Sequence, residues 1–165
     1  MKRFFALMLL FAAACGGTED ANGPEVVPHV SPVQLGDFWP QGNTDPDYGN
    51  NERTPYEWVL LLQSVGDEPV KVSKACLVGD ASNFIIEGPV PTTIPAGDEG
   101  AIRLTYGRNN PGSDRVAVVV RSNAKNFPTL VVPLCASVVA DGADKNKAVQ
   151  PCEFPESDIP ADPCN

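Results

Sequence analysis

The sequence predicts an all-β fold, a sandwich of two packed sheets, on three observations. Short apolar runs alternating with period two recur from residue 33 to residue 139. Seventeen prolines and 14 glycines punctuate the chain between those runs. No long stretch shows the apolar spacing of a helix, so neither a bundle nor an alternating α/β fold is favoured. At 165 residues the chain has the length of one domain.

The first 14 residues lie outside that pattern. Lys2-Arg3 precede eleven apolar or small residues, Phe4 to Ala14, too few to span a bilayer, which needs about 20. Residues 1–14 are predicted to be a signal peptide. Ala12-Ala13-Ala14-Cys15 resembles a bacterial lipobox, with Ala12 where that motif usually has Leu. The resemblance implies that Cys15 becomes the lipidated first residue and that the protein meets the membrane through that lipid. Gly16 rather than Asp after the cysteine implies sorting to the outer membrane by analogy with known lipoproteins. Residues 15–30 then form the lipidated N-terminus and a flexible linker, since Gly16 to Pro32 is rich in Gly, Pro and acids and has no periodicity. The only histidine, His29, falls there and reads as a solvated side chain.

Residues 31–139 are predicted to be the sandwich. Val33 to Phe38 is a short first strand, followed by a long polar loop, residues 39–55. Asp45, Asp47 and Glu52 in that loop are hard oxygen donors of the type calcium takes. Their spacing departs from a calcium-binding helix-loop-helix, since Gly49 is the fifth residue from Asp45 and Tyr56 the twelfth. They are weak metal candidates, and an Asx-turn-rich surface loop is the plainer reading. In Tyr56–Ser64, Trp58, Leu60 and Leu62 share the inward face. Val70–Val78 sends Val70 and Val72 inward, and a bulge near Ser73-Lys74 keeps Lys74 out of the core before Ala75 and Leu77 resume. Cys76 is thereby outward. Asn83–Glu87 contributes Phe84 and Ile86, and Gly100–Tyr106 contributes Ile102, Leu104 and Tyr106. The hairpin Asp114–Val139 closes the domain, with Val116, Val118 and Val120 inward from one strand and Leu130, Val132 and Leu134 from the other. Residues 140–165 carry scattered Val149, Phe154 and Ile159, too few to dock by burial, and are expected to form an extended, acidic, cysteine-containing tail.

The order of these features resembles a known family. Gln63-Ser64-Val65-Gly66, Pro69-Val70-Lys71-Val72, Gly79-Asp80, Phe84-Ile85-Ile86, Ile94-Pro95-Ala96-Gly97, Pro111-Gly112, Arg121-Ser122-Asn123 and Pro133-Leu134 follow one another as in the Hydin-like (ASH) domains of bacterial choice-of-anchor D surface proteins, related in fold to major sperm protein. The resemblance spans residues 31–139. It implies a single seven-stranded immunoglobulin-like β-sandwich, here with disordered flanks, and no catalytic residues. The 39–55 loop and Cys135-Ala136-Ser137, where the family usually ends Gly-x-Gly, depart from the pattern.

With Cys15 lipidated, Cys76, Cys135, Cys152 and Cys164 remain. An even count in an oxidising compartment points to two disulfides with three possible pairings. In the family's strand order Cys76 and Cys135 lie on one sheet with a strand between them, about 9–10 Å apart, beyond the roughly 7 Å that a bridge spans. Ties from Cys152 and Cys164 to the sheet are favoured over a local Cys152–Cys164 loop. A four-thiolate zinc site is disfavoured because no CxxC pair exists.

The formal charge of −9 argues against nucleic acid as a partner. One histidine leaves no Ser–His–Asp triad, and no phosphate loop or metal-ligand cluster is present, so no cofactor is expected. The expected function is non-enzymatic: a lipid-anchored cell-envelope protein of the outer membrane whose domain is a binding or structural module for a protein partner. The alternative is a small-ligand or calcium-binding lipoprotein using the acidic 39–55 loop.

Overall fold

The structure, a computed structural model, describes residues 23–39, 53–140 and 151–165. Among these residues the regular structure is strand apart from one 3-10 turn, Glu156–Asp158. In order come β1 (Val26–Pro28), β2 (Val33–Phe38), β3 (Tyr56–Ser64), β4 (Val70–Gly79), β5 (Phe84–Glu87), β6 (Thr93–Ile94), β7 (Glu99–Tyr106), β8 (Gly112–Ser122) and β9 (Thr129–Val138). They form a four-stranded sheet, β1-β3-β7-β5, and a five-stranded sheet, β2-β9-β8-β4-β6. All pairs are antiparallel except β2 with β9, which run parallel. This is an immunoglobulin-like sandwich, its first edge divided between the sheets as β1 and β2.

The core follows from the alternation. Leu60 and Leu62 from β3 and Ile102, Leu104 and Tyr106 from β7 face Val116, Val118 and Val120 from β8 and Leu130, Val132 and Leu134 from β9. All are buried. The β8–β9 ladder is in continuous register from Gly112 opposite Val138 to Arg121 opposite Thr129. Phe38 and Phe84 pack on Tyr106 with ring centroids 5.7 and 4.7 Å away, within the range of favourable aromatic pairs. The β4–β8 register slips between Val72 and Lys74. That bulge leaves Lys74 exposed while Ala75 and Leu77 return to the core.

Three expectations need correction. The described chain has nine strands rather than seven; the additions are β1 and the two-residue β6. Residues 23–30, read as flexible linker, carry β1, paired with β3 from Val26↔Ser64 to Pro28↔Leu62. Three residues between Pro24 and Pro28 are too few for alternation to register. What holds them is distant in sequence: Asn126 both accepts from the Val26 amide (3.0 Å) and donates to its carbonyl (2.9 Å), substituting for a neighbouring strand. Finally, residues 151–165, expected to be tied to the sheet by their cysteines but to hold too few apolar residues to dock by burial, do pack on the domain. They lie across the outer face of the five-stranded sheet, where Val78, Ala117 and Val119 are buried and Phe154 packs beside them.

Candidate binding surface

At one end of the sandwich the chain leaves β2 for the 39–55 loop and returns into β3. Trp39 and Arg53 form an isolated parallel bridge, and the Thr54 amide donates to the Trp39 carbonyl at 3.3 Å. These contacts bring together the two stems of the loop. Asp45, Asp47 and Glu52 lie outside the described residues, as does Cys15.

Beneath the stems is a polar hub. The Asp114 carboxylate, nearly buried, accepts from the Tyr106 hydroxyl (2.7 Å), from Asn83 Nδ2 (2.9 Å) and from Arg108 (2.7 Å). The Arg108 carbonyl accepts from Thr54 Oγ1 at 2.8 Å, which links the hub to the returning stem. The Arg108 guanidinium also donates from Nε to the Asn110 carbonyl at 2.8 Å. It lies over Gly112, where a Cβ would collide with it, so glycine is needed for the close approach. Burial, and then the hydrogen bond to Asp114, push the Tyr106 phenol well above its ordinary value. It therefore stays protonated as a donor across the physiological range. Both Asp114 oxygens are engaged, so the hub is a clamp rather than an acid–base pair.

The opposite arrangement holds on the outer face of the five-stranded sheet. Cys135 is bridged to Cys152 and Cys76 to Cys164, with Cα atoms 5.6 and 5.4 Å apart. Cys135 lies on β9 and Cys76 on β4, with β8 between. The segment from Cys152 to Cys164 is thus a strap crossing three strands. Arg121 pairs with Asp162 at 2.5 Å and Lys74 Nζ donates to Asn165 at 3.2 Å. Gly79 lets the Phe154 ring close in, since a Cβ there would sit 3.0 Å from it. A groove of about 450 Å³ remains between strap and sheet, lined by Thr129, Val131, Pro133, Phe154, Glu156 and Ile159.

His29, expected to be solvated, places Nε2 2.9 Å from Glu99 Oε1 while remaining about a third exposed at 37%. Among the described residues no three His, Cys, Asp or Glu side chains gather as a metal site. No described helix is long and apolar enough to cross a membrane. The hub was not foreseen from sequence, because Tyr106, Arg108 and Asp114 meet where the chain crosses from β7 to β8 in the other sheet and Asn83 joins them only through the β5–β7 ladder. Cys76 and Cys135, by contrast, were visible as outward positions on their strands.

No protein-family model matches the sequence, and no curated protein matches it. Solved structures do resemble the fold. A protein of unknown function from Porphyromonas gingivalis W83 matches at 12% identity with a TM-score of 0.51, over 72% of this chain and 48% of that one. The secreted serine protease VesC from Vibrio cholerae matches at 10% identity with a TM-score of 0.50, over 69% of this chain and 23% of that one. The ASH/PapD-like domain 7 of human CEP192 matches at 12% identity with a TM-score of 0.48, over 84% of this chain and 99% of that one. This chain thus spans about half of the first of these proteins and about a quarter of the second. At such identities the likeness is one of fold alone, and the fold is an immunoglobulin-like β-sandwich.

Proposed function

We propose that this chain is a non-enzymatic, lipid-anchored module of the bacterial cell envelope that presents the 39–55 loop to a protein partner. The observation that carries the reading is the clamp at the base of that loop. Asp114, Arg108 and Thr54 link the end of the sandwich to the returning stem, and the Trp39–Arg53 bridge holds the stems together. A rigid scaffold carrying a polar loop is the usual construction of a binding site in such folds. Two disulfides fit an oxidising compartment outside the cytosol, and Cys15 after a short apolar segment supplies the anchor. Several acyl chains together hold a protein at a membrane where one would not, because each buried methylene contributes about 0.8 kcal/mol.

The test replaces residues 40–52 with a Gly/Ser segment of equal length and crosslinks intact cells expressing either form. The reading expects a partner adduct with the native loop and none with the replacement, at equal amounts of folded protein. An adduct unaffected by the exchange would move the contact elsewhere. Heat released on calcium titration, lost in an Asp45→Asn/Asp47→Asn variant, would transfer the loop to the calcium reading. For the anchor, Cys15→Ser should leave the protein unprocessed or released from the membrane fraction.

A further inference from the structure

The end of the sandwich away from the 39–55 loop carries two exposed apolar side chains, Val65 and Phe127, 42% and 45% exposed. They flank the point where the N-terminal segment joins the domain. The Val65 amide donates to the Glu25 carbonyl at 3.0 Å, the Lys125 amide to the Pro24 carbonyl at 2.8 Å, and the Gly23 amide to Asp67 Oδ1 at 2.5 Å. Gly66 backs onto the Gly23 carbonyl with no room for a Cβ, and Gly23 itself has φ +113°, so both close approaches require glycine. The first described residue is therefore fixed among the two turns that expose Val65 and Phe127.

The distance from there to Cys15 is short. Gly23 is eight Cα steps on from Cys15, a reach of at most roughly 28 Å when fully extended. Strand β8, with 11 residues, is itself about 36 Å long. A lipid at Cys15 thus holds this end near the bilayer, while the loop-bearing end lies a full strand length away. The charges on and beside these turns are Glu25, Asp67, Glu68 and Asp98 against Lys71 and Lys125. That balance gives no attraction to anionic lipid, so the contact must come from the apolar pair.

We propose that the turn end of the sandwich is a membrane-contact surface, with Phe127 and Val65 seated in the interface of a zwitterionic phospholipid bilayer. This rests on the anchor at Cys15. Its consequence is orientation: the end of the sandwich that carries the stems Trp39 and Arg53 faces away from the lipid. Apolar side chains such as Phe bury area at the headgroup–acyl boundary, and that burial favours contact.

The test uses the full lipidated chain reconstituted into phosphatidylcholine vesicles with or without brominated acyl chains, which quench nearby indoles. Three variants each add a probe, Phe127→Trp, Val65→Trp and Ile85→Trp, and the wild-type signal of Trp39 and Trp58 is subtracted. Ile85, 57% exposed near the loop-bearing end of the four-stranded sheet, is the control. The expected result is quenching at positions 127 and 65 and none at 85. Unquenched probes at 127 and 65, or equal quenching at all three, overturn the docking. Flotation separates the two claims. If the wild-type chain fails to float with the vesicles, the anchor falls and the docking with it. If it floats and the probes stay bright, the docking alone falls.

Discussion

The two outer faces of this sandwich meet water in opposite ways. On the five-stranded sheet, outward residues line up as Val78–Ala117–Pro133 and Cys76–Val119–Val131 across β4, β8 and β9. Those two adjacent rows hold no charge, and they lie under the Cys152–Cys164 strap. On the four-stranded sheet the corresponding rows are Glu57–Thr105–Ile85 and Val59–Arg103–Glu87. A charge interrupts each row, and Val59 and Ile85 remain 40% and 57% exposed. Scattered apolar residues on a surface are ordinary; contiguous ones need a cover. Among the described residues the chain covers the uninterrupted rows and not the interrupted ones, and a disulfide fastens that cover at each end.

The largest expected effect breaks the covered face directly. Val119→Asp buries an unpaired carboxylate beneath the strap and should cost several kcal/mol, enough to threaten the whole domain. Val59→Asp, the matching change on the open face, should cost within about 0.5 kcal/mol. Urea unfolding of the two proteins gives the comparison, and equal midpoints would erase the distinction between the faces.

Removing the fasteners comes next. Cys76→Ser with Cys164→Ser opens a separation of 88 residues, and Cys135→Ser with Cys152→Ser one of 17. Loop-closure entropy puts the former near 4–5 kcal/mol and the latter near 3 kcal/mol as upper values. The first pair should therefore lower stability more in the same urea assay, and the reverse order would show that strap packing outweighs the constraint on the unfolded chain.

Smaller effects sharpen the picture. Phe154→Ala removes the largest apolar side chain of the strap from its place beside Gly79. Because the ring is half-buried, the loss should be about 1–2 kcal/mol, read as a shift in melting midpoint with both disulfides intact. Arg121→Ala removes an ion pair whose members are 42% and 54% exposed. Its cost should fall below about 1 kcal/mol and shrink further in high salt.

What could be read in the sequence divides along physical lines. Strand β3 follows period-two alternation, and β2 and β3 match their expected limits at Val33–Phe38 and Tyr56–Ser64, although a register shift between Gln34 and Gly36 in β2 buries both Val33 and Phe38. The bulge beside Lys74 was legible because strict alternation would have buried an ammonium. The core residues of β7, β8 and β9 follow from the same rule. Strand β1 was not legible: its three residues gain their place from Asn126 and the β3 ladder, which local pattern does not encode. The cysteines made the tie of the strap to the sheet legible, but its packing by burial was hidden for a related reason. Phe154 alone is a weak signal, and Ala117 and Val119 look like ordinary outward positions until the apolar rows of β4, β8 and β9 are aligned. The Asp114 hub escaped notice entirely, since Tyr106 and Asp114 read as strand positions on two different sheets and local pattern gives no reason to pair them.

The central claim is that two covalent ties, one at each side of β8, hold a strap over the apolar face. Its most direct test is a map of the unreduced protein digested with trypsin and a glutamate-specific protease, since cleavage after Glu153 and Glu156 separates Cys152 from Cys164. The account predicts the Cys76 fragment joined to the Cys164 fragment and the Cys135 fragment joined to the Cys152 fragment. A fragment joining Cys152 to Cys164 would contradict it, for such a loop closes on itself and leaves Val119 and Ala117 without a fastened cover.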